Sequence, residues 1–273
     1  MSDKQIEEFQ KEVYKEYKPL FDLHQQLLEL FGETADKGNA KEVPIENISK
    51  LQSVMGFLAT KAIKTHVAIY LLCKNGAGQD AEILLRSLIE ILISVKYLLF
   101  ADSEKRADMY IGFFDFKTAR DISKLKYDPK IGEKLKEYEE EYNMKKEEFL
   151  KQHDIKDKNS WSGKKISEMA GETGLTEIYN KAYNFSSDMA HSNILCSPCY
   201  IKMGDGYVDC DAGPSFDCVE RVLGSCLECI INILVDFNRV LEIGNDQRIK
   251  DFIAKYGEQI EKYKGRNNAS PNP

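Results

Sequence analysis

The sequence predicts an all-α protein, a multi-helix bundle with a charged helical arm and a small irregular insert that carries cysteines. Three observations predict it. Apolar residues recur three and four apart through most of the chain, as they do in helices with one buried face. No stretch shows the sustained apolar and polar alternation, bounded by turn residues, that marks a strand. The composition is 42% hydrophobic and 30% charged, with 7 Pro and 17 Gly in 273 residues, which supplies a core and few helix breakers.

The first helix is predicted from Asp3 to Phe31, interrupted near Pro19, with Phe9, Val13, Leu20, Leu23, Leu27 and Phe31 at helical spacing. Gly32 to Val43 reads as a loop, and residues 1–43 form an N-terminal helix and loop ahead of a helical-bundle domain over 44–264. Pro44 begins a second helix that runs to Cys73 and stops at Asn75-Gly76-Ala77-Gly78. Asp80 starts the third and most apolar helix, through Phe100, and Ala101-Asp102-Ser103 introduces a fourth with Met109, Tyr110, Phe113 and Ile122.

A charged helix follows over about 128–152, where Glu and Lys leave only a stripe of Leu135, Tyr138, Tyr142 and Phe149, so it reads as a solvated arm. His153 to Gly163 is a loop holding the one tryptophan, Trp161. Short helices are expected at Lys164 to Ala170 and Leu175 to Ser192. Asn193 to Pro214 is irregular, with a small hairpin over Tyr200 to Asp209 around Gly204-Asp205-Gly206. Helices over Ser215 to Ile243 and Asp246 to Tyr263 close the fold, and residues 265–273 read as a disordered tail.

The 38 Lys and Arg against 45 Asp and Glu leave a net charge of −7, which gives no general attraction for nucleic acid. Met1-Ser2-Asp3-Lys4-Gln5 has no apolar run behind a basic start, so a cytoplasmic location is expected. Ile83 to Phe100 and Val219 to Leu241 are apolar enough to raise the question of a membrane span. The first holds Arg86, Glu90 and Lys96, the second Glu220, Arg221, Glu228 and Asp236. Each central charge costs about 2.5 to 3.5 kcal/mol on insertion, so both read as buried helices and no membrane is expected. The pairs Cys196/Cys199 and Cys226/Cys229 have the two-residue gap of a zinc half-site, but Cys226 lies in register with Val219, Val222, Leu223, Ile230 and Phe237 on an apolar face. Core packing is the expected role, with neither metal nor cofactor.

Two polar stripes carry the candidate chemistry. In the third helix Glu82, Arg86, Glu90 and Ser94 recur every fourth residue and form a narrow polar file on an apolar cylinder. Buried charges are costly unless paired, so this file must meet partners. Tyr179, Tyr183, Ser187 and His191 repeat the same spacing. Facing stripes would make one buried site of Arg86, Glu90, Tyr183, Ser187 and His191. A hydrolase triad of Ser187, Asp188 and His191 lacks a nucleophile elbow, the phosphate loops are incomplete, and the Glu-x-x-His of diiron bundles is absent. Lys164-Lys165 at a helix start could hold an anion.

The order Gly78-x-x-Ala81-x-x-x-Leu85-Arg86-x-x-x-Glu90, then Tyr97-Leu-Leu, Trp161-x-Gly163-x-x-Ile166-x-x-Met169-Ala170 and Tyr179-x-x-x-Tyr183-x-x-x-Ser187-x-x-x-His191, resembles bacterial domain-of-unknown-function family 5677. The resemblance covers about Leu51 to Leu241. It implies an all-helical fold in which the positions of Arg86, Glu90, Ser187 and His191 belong together. A more distant likeness is to HEPN helical bundles, many of them metal-independent ribonucleases of toxin or antiphage systems and others inactive adaptors. In those, an Arg and a His on one helix act at a dimer interface, whereas here no Arg precedes His191 at that spacing, so Arg86 would have to serve from another helix.

Two functions are therefore expected. In the first, a homodimer cleaves RNA, with His191 as general base toward the 2′-hydroxyl, Arg86 stabilising the phosphorane, Tyr183 and Ser187 orienting and Glu90 holding Arg86. In the second, the same residues are a structural network in a non-catalytic interaction or ligand-sensing module of a bacterial defence or stress system. Its charged arm would engage a protein partner.

Overall fold

The structure is a computed structural model that describes residues 2–153, 160–204, 206–210 and 212–269. It is all-helical apart from one two-stranded hairpin among the described residues. The order is α1 (Asp3–Glu16), α2 (Lys18–Asn39), α3 (Lys50–Lys74), α4 (Gly78–Phe100), α5 (Ser103–Leu125) and α6 (Gly132–His153). Then come α7 (Ile166–Glu172), α8 (Thr176–Ile178), a π turn over Tyr179–Tyr183, α9 (Asn184–Ala190), the strands β1 (Ile201–Gly204) and β2 (Tyr207–Cys210), α10 (Val219–Val240) and α11 (Asp246–Ala269).

Helices α3, α4 and α10 pack on one another at the centre, with α2 against α10 and α5 against α3. The face predicted for α10 is the buried one, since Val219, Val222, Leu223, Cys226, Ile230 and Ile233 are all at 0% exposure. Each buried Leu or Ile contributes about 1.5 to 3 kcal/mol relative to an exposed one. The core is continuous from Val13 and Leu20 in the first two helices to Phe252 in α11. No described helix is long and apolar enough to cross a membrane.

Two charges in each of the two most apolar helices pair across to the other. Arg221 Nη2 lies 2.5 Å from Glu82 Oε1, and Lys96 Nζ lies 2.8 Å from Asp236 Oδ2. Glu82 and Arg221 sit near the starts of α4 and α10, Lys96 and Asp236 near their ends, so the helices run parallel with an ion pair at either end. At the near end the backbones almost touch. A Cβ on Gly78 would stand 2.2 Å from the Asp217 carbonyl oxygen, so only glycine fits where α4 begins.

Several sequence expectations are corrected. The break in the first helix falls at Tyr17, and Pro19 sits in the first turn of α2, where a missing N–H costs nothing. Gly32 to Asn39 is helical rather than loop, because α2 continues as a buried leg. Its Thr34 is fully buried, donates to the Leu30 carbonyl at 2.7 Å and accepts from Asn245 Nδ2 at 2.8 Å. The second helix begins at Lys50, not Pro44; Ser49 caps it with Gln52 in a capping box, while Ile45–Asn47 forms a separate 3₁₀ turn. The first part of the expected tail is helical, as α11 runs to Ala269, and 270–273 lie outside the described residues, as do 154–159 of the expected 153–163 loop. The hairpin forms as expected, Ile201 opposite Cys210.

The charged arm is α6, which packs on α5. Phe149 is its one buried large apolar side chain, with ring centroids 6.2 and 5.8 Å from Phe113 and Phe116. The cysteine pairs do not meet as a zinc site among the described residues: Cys226 and Cys229 are fully buried in α10, while Cys199 Sγ faces Cys218 Sγ at 3.9 Å. Cys196→Ser with Cys199→Ser is expected to keep the helical circular-dichroism signal at 25 °C. The midpoint should fall only by the cost of one buried hydroxyl, about 1 to 3 kcal/mol. Loss of the fold together with stoichiometric zinc would contradict this.

Candidate functional site

The fold lays α9 along α4 and brings the two polar stripes together. Arg86 Nη1 donates to His191 Nε2 at 2.9 Å. Arg86 Nε is shared, 3.4 Å from Tyr183 Oη and 3.4 Å from Glu90 Oε1. Tyr183 Oη donates to Glu90 Oε1 at 2.8 Å, and the guanidinium stands 5.4 Å from the centre of the Tyr183 ring. Burial raises the Tyr183 phenol above its ordinary value, and its bond to Glu90 adds to that, so it remains a hydrogen-bond donor at neutral pH.

Local chain geometry sets each of these groups. His191 is the C-cap of α9, and the helix ends in a Schellman turn: Asn193 N–H bonds the Asp188 carbonyl at 3.0 Å and Ser192 N–H the Met189 carbonyl at 3.2 Å. Ser192 occupies the left-handed position, φ 52°, where glycine is usual. That conformation costs about 1 to 3 kcal/mol in a non-glycine residue and is characteristic of sites where the chain's direction matters. At the other end the π turn inserts one residue into the helix and stacks Tyr179 on Tyr183, centroids 4.9 Å apart.

Two expectations are corrected here. The cluster is not buried: the Glu90 side chain is 44% exposed, that of Arg86 26%, and His191 is exposed, because the C-cap of α9 lies at the surface. Ser187 makes no side-chain hydrogen bond to the cluster among the described residues. Ser186, fully buried, donates instead to Glu82 Oε2 at 2.6 Å. Positions three and four beyond Tyr183 share a helix face, so spacing could not choose between them. Ser187→Ala is therefore expected to leave thermal stability unchanged, whereas Ser186→Ala strips a donor from a buried carboxylate and should cost about 1 to 3 kcal/mol in urea unfolding. Equal effects would reverse the assignment.

Beside the cluster lies a cleft of about 510 Å³ lined by Glu90, Ser94, Trp161, Lys164, Lys165 and Tyr183. Lys164 pairs with Glu172, while Lys165 is exposed. Across Trp161 and Phe113 it adjoins a second, more apolar groove of about 720 Å³ with Phe57, Tyr110 and Phe114 in its walls. Trp161 is held edge-on between Tyr97 and Tyr110, centroids 5.8 and 5.1 Å away, which fixes the loop that carries the lysines.

Sequence reading passed over His24 and His66, which look like ordinary helical residues but meet in the core, and it did not single out Ser186. Their partners lie between 42 and 199 positions away, so no local spacing signals them. No curated protein and no solved structure matches the chain. The model of a family described as "Family of unknown function (DUF5677)" matches residues 52–207, more than half of the 273-residue chain and every residue of the cluster.

Proposed function

The chain belongs to the family of unknown function DUF5677, and for the open cluster that its matched residues build we propose phosphodiester binding and metal-independent cleavage of single-stranded RNA. The observation that carries this reading is the 2.9 Å contact between Arg86 Nη1 and His191 Nε2. It places a permanent cation and an imidazole side by side at a surface that substrate can reach. In the resting site the guanidinium occupies the imidazole lone pair. A bound phosphate draws Arg86 to its own oxygens and frees Nε2.

His191 Nε2 then takes the proton of the 2′-hydroxyl, the 2′-oxygen bonds to phosphorus, and the bond from phosphorus to the 5′-oxygen breaks. The leaving oxygen takes a proton from water. The products are a 2′,3′-cyclic phosphate and a 5′-hydroxyl. Arg86 stabilises the added charge on the phosphorane, with Glu90 and Tyr183 fixing the plane of its guanidinium. Lys165 and the aromatic groove beyond Trp161 supply a local positive point and stacking faces for neighbouring bases, which the net charge of −7 does not. This is the role in which the HEPN likeness casts the site, with Arg86 serving from α4 in place of an Arg on the helix of His191. A cytoplasmic homodimer in a bacterial defence or stress system is the setting that goes with it.

A second reading, a non-catalytic module, draws on α6. This helix buries Phe149 and the side chain of His153 near its end and turns a Glu- and Lys-rich face to solvent, as a docking arm for a protein partner would. The test that separates them is incubation of the full chain, in EDTA, with a labelled oligoribonucleotide and its deoxy counterpart. Cleavage of RNA alone, giving cyclic phosphate ends, supports the first reading. Intact RNA together with full biological activity of His191→Ala favours the second.

A further inference from the structure

The centre of the bundle holds a group of side chains that the cluster on α4 and α9 does not use. His24 of α2, His66 of α3 and Cys226 of α10 are each at 0% exposure, and one ligand atom from each lies within 4.8 Å of the other two. His24 Nδ1 and His66 Nε2 are 2.6 Å apart, and His24 Nε2 is 3.0 Å from the Leu223 carbonyl oxygen.

These contacts fix the protons. A carbonyl only accepts, so His24 carries its hydrogen on Nε2 and presents a lone pair at Nδ1. His66 must then donate from Nε2, which leaves His66 Nδ1 as a bare acceptor, fully buried and without a hydrogen-bond partner. Such an orphan is costly in a core and calls for an explanation. Burial holds both imidazoles in the neutral form, His66 down to about 4, which is also the form that ligates metal.

We infer that His24, His66 and Cys226 form a buried site for one copper(I) ion. Two imidazole nitrogens and a thiolate are the trigonal donor set of copper, whereas structural zinc takes four ligands. No fourth His, Cys, Asp or Glu joins the three among the described residues. Charge points the same way. One monovalent ion and one thiolate make a neutral unit, while a divalent ion would leave a net positive charge in an apolar core. The bond from His24 Nε2–H to the Leu223 carbonyl is the outer contact that metal-bound histidines use to fix their tautomer. Loading forms three metal-ligand bonds, moves the His66 proton from Nε2 to the unpartnered Nδ1, releases the Cys226 proton to solvent and moves no electrons. The rings must part from their present 2.6 Å, since two nitrogens on one trigonal ion sit about 3.5 Å apart.

The test uses the full chain with Cys196, Cys199, Cys210 and Cys218 changed to Ser, which removes every thiol except the three at 0% exposure, Cys73, Cys226 and Cys229. It is purified anaerobically from copper- or zinc-supplemented cells and washed with a copper(I) chelator. The expected result is one copper per chain, a raised thermal midpoint in the loaded protein, and loss of both in Cys226→Ala. His66→Gln should lose the metal as well, and circular dichroism identifies the variants that fold. Should Cys226→Ala fail to fold, Cys226→Ser replaces it. Copper absent from the four-serine chain, copper retained without Cys226, or zinc held in its place would each overturn the assignment.

Discussion

His191→Ala is expected to lower the rate of RNA cleavage by about 10²- to 10⁴-fold, the usual contribution of a positioned general base. Arg86→Ala should cost about 10²- to 10³-fold, as removal of one charge-stabilising donor does elsewhere. The two should differ in how they fail. His191 touches the nucleophile, so its loss should fall on kcat with oligonucleotide affinity kept; Arg86 contacts the phosphate in ground and transition states, so its loss should raise KM as well. The double variant should be little worse than the poorer single one, because a cation without the base, or a base without the cation, performs no complete step. Tyr183→Phe keeps the ring under the guanidinium and removes the hydroxyl that bridges Arg86 and Glu90, so an intermediate loss is expected. The checks are initial rates on a labelled oligonucleotide and fluorescence anisotropy for binding. Additive losses, or a His191→Ala chain that retains its rate, would remove His191 from the chemistry.

The fold was legible because its largest signals are periodic. The apolar files of α4 and α10 and the charged file of α6 each state a helix and its buried or solvated face. Errors gathered where a tertiary contact overrode a local cue. Gly32 and Gly38 suggested a loop, yet α2 continues through both because Thr34 and Asn245 hydrogen-bond in the core. The site was legible in part. A fourfold spacing put Arg86 with Glu90, and Tyr183 with His191, on single helix faces, and the need to pair buried charges required the stripes to meet. Spacing could not show that α9 ends at His191, which exposes the cluster, or that the π turn and crossing would select Ser186 over Ser187. The His24, His66 and Cys226 group lay beyond sequence reading altogether, since α2, α3 and α10 bring one side chain each and even the nearest two are 42 positions apart.

Arg221→Met carries the largest expected effect on stability, a loss of about 3 to 5 kcal/mol at neutral pH, because it leaves the Glu82 carboxylate buried with only the Ser186 hydroxyl for company. Glu82→Gln should cost much less. Its amide can still accept from Ser186, and Arg221, 34% exposed and stacked 3.6 Å over Phe185, can turn to water. The double variant should recover most of the Arg221→Met deficit. The pH dependence has a definite sign. Burial raises Glu82 above the ordinary carboxylate value, and Arg221 and Ser186 lower it without cancelling that rise. Folded Glu82 therefore holds its proton more tightly than unfolded Glu82. That contribution to stability is complete below the ordinary carboxylate value and is lost as pH climbs through the raised one. Removing Arg221 raises the value further, so the deficit of Arg221→Met should shrink toward pH 5 and grow toward pH 8 in urea unfolding. A pH-independent deficit, or one matched by Glu82→Gln, would mean that the pair adds nothing beyond packing. The same pair sets α4 against α10, and Ser186 ties α9 to it one turn before Arg86. A chain that loses Arg221 should thus lose cleavage too, with Arg86 and His191 intact but no longer held 2.9 Å apart.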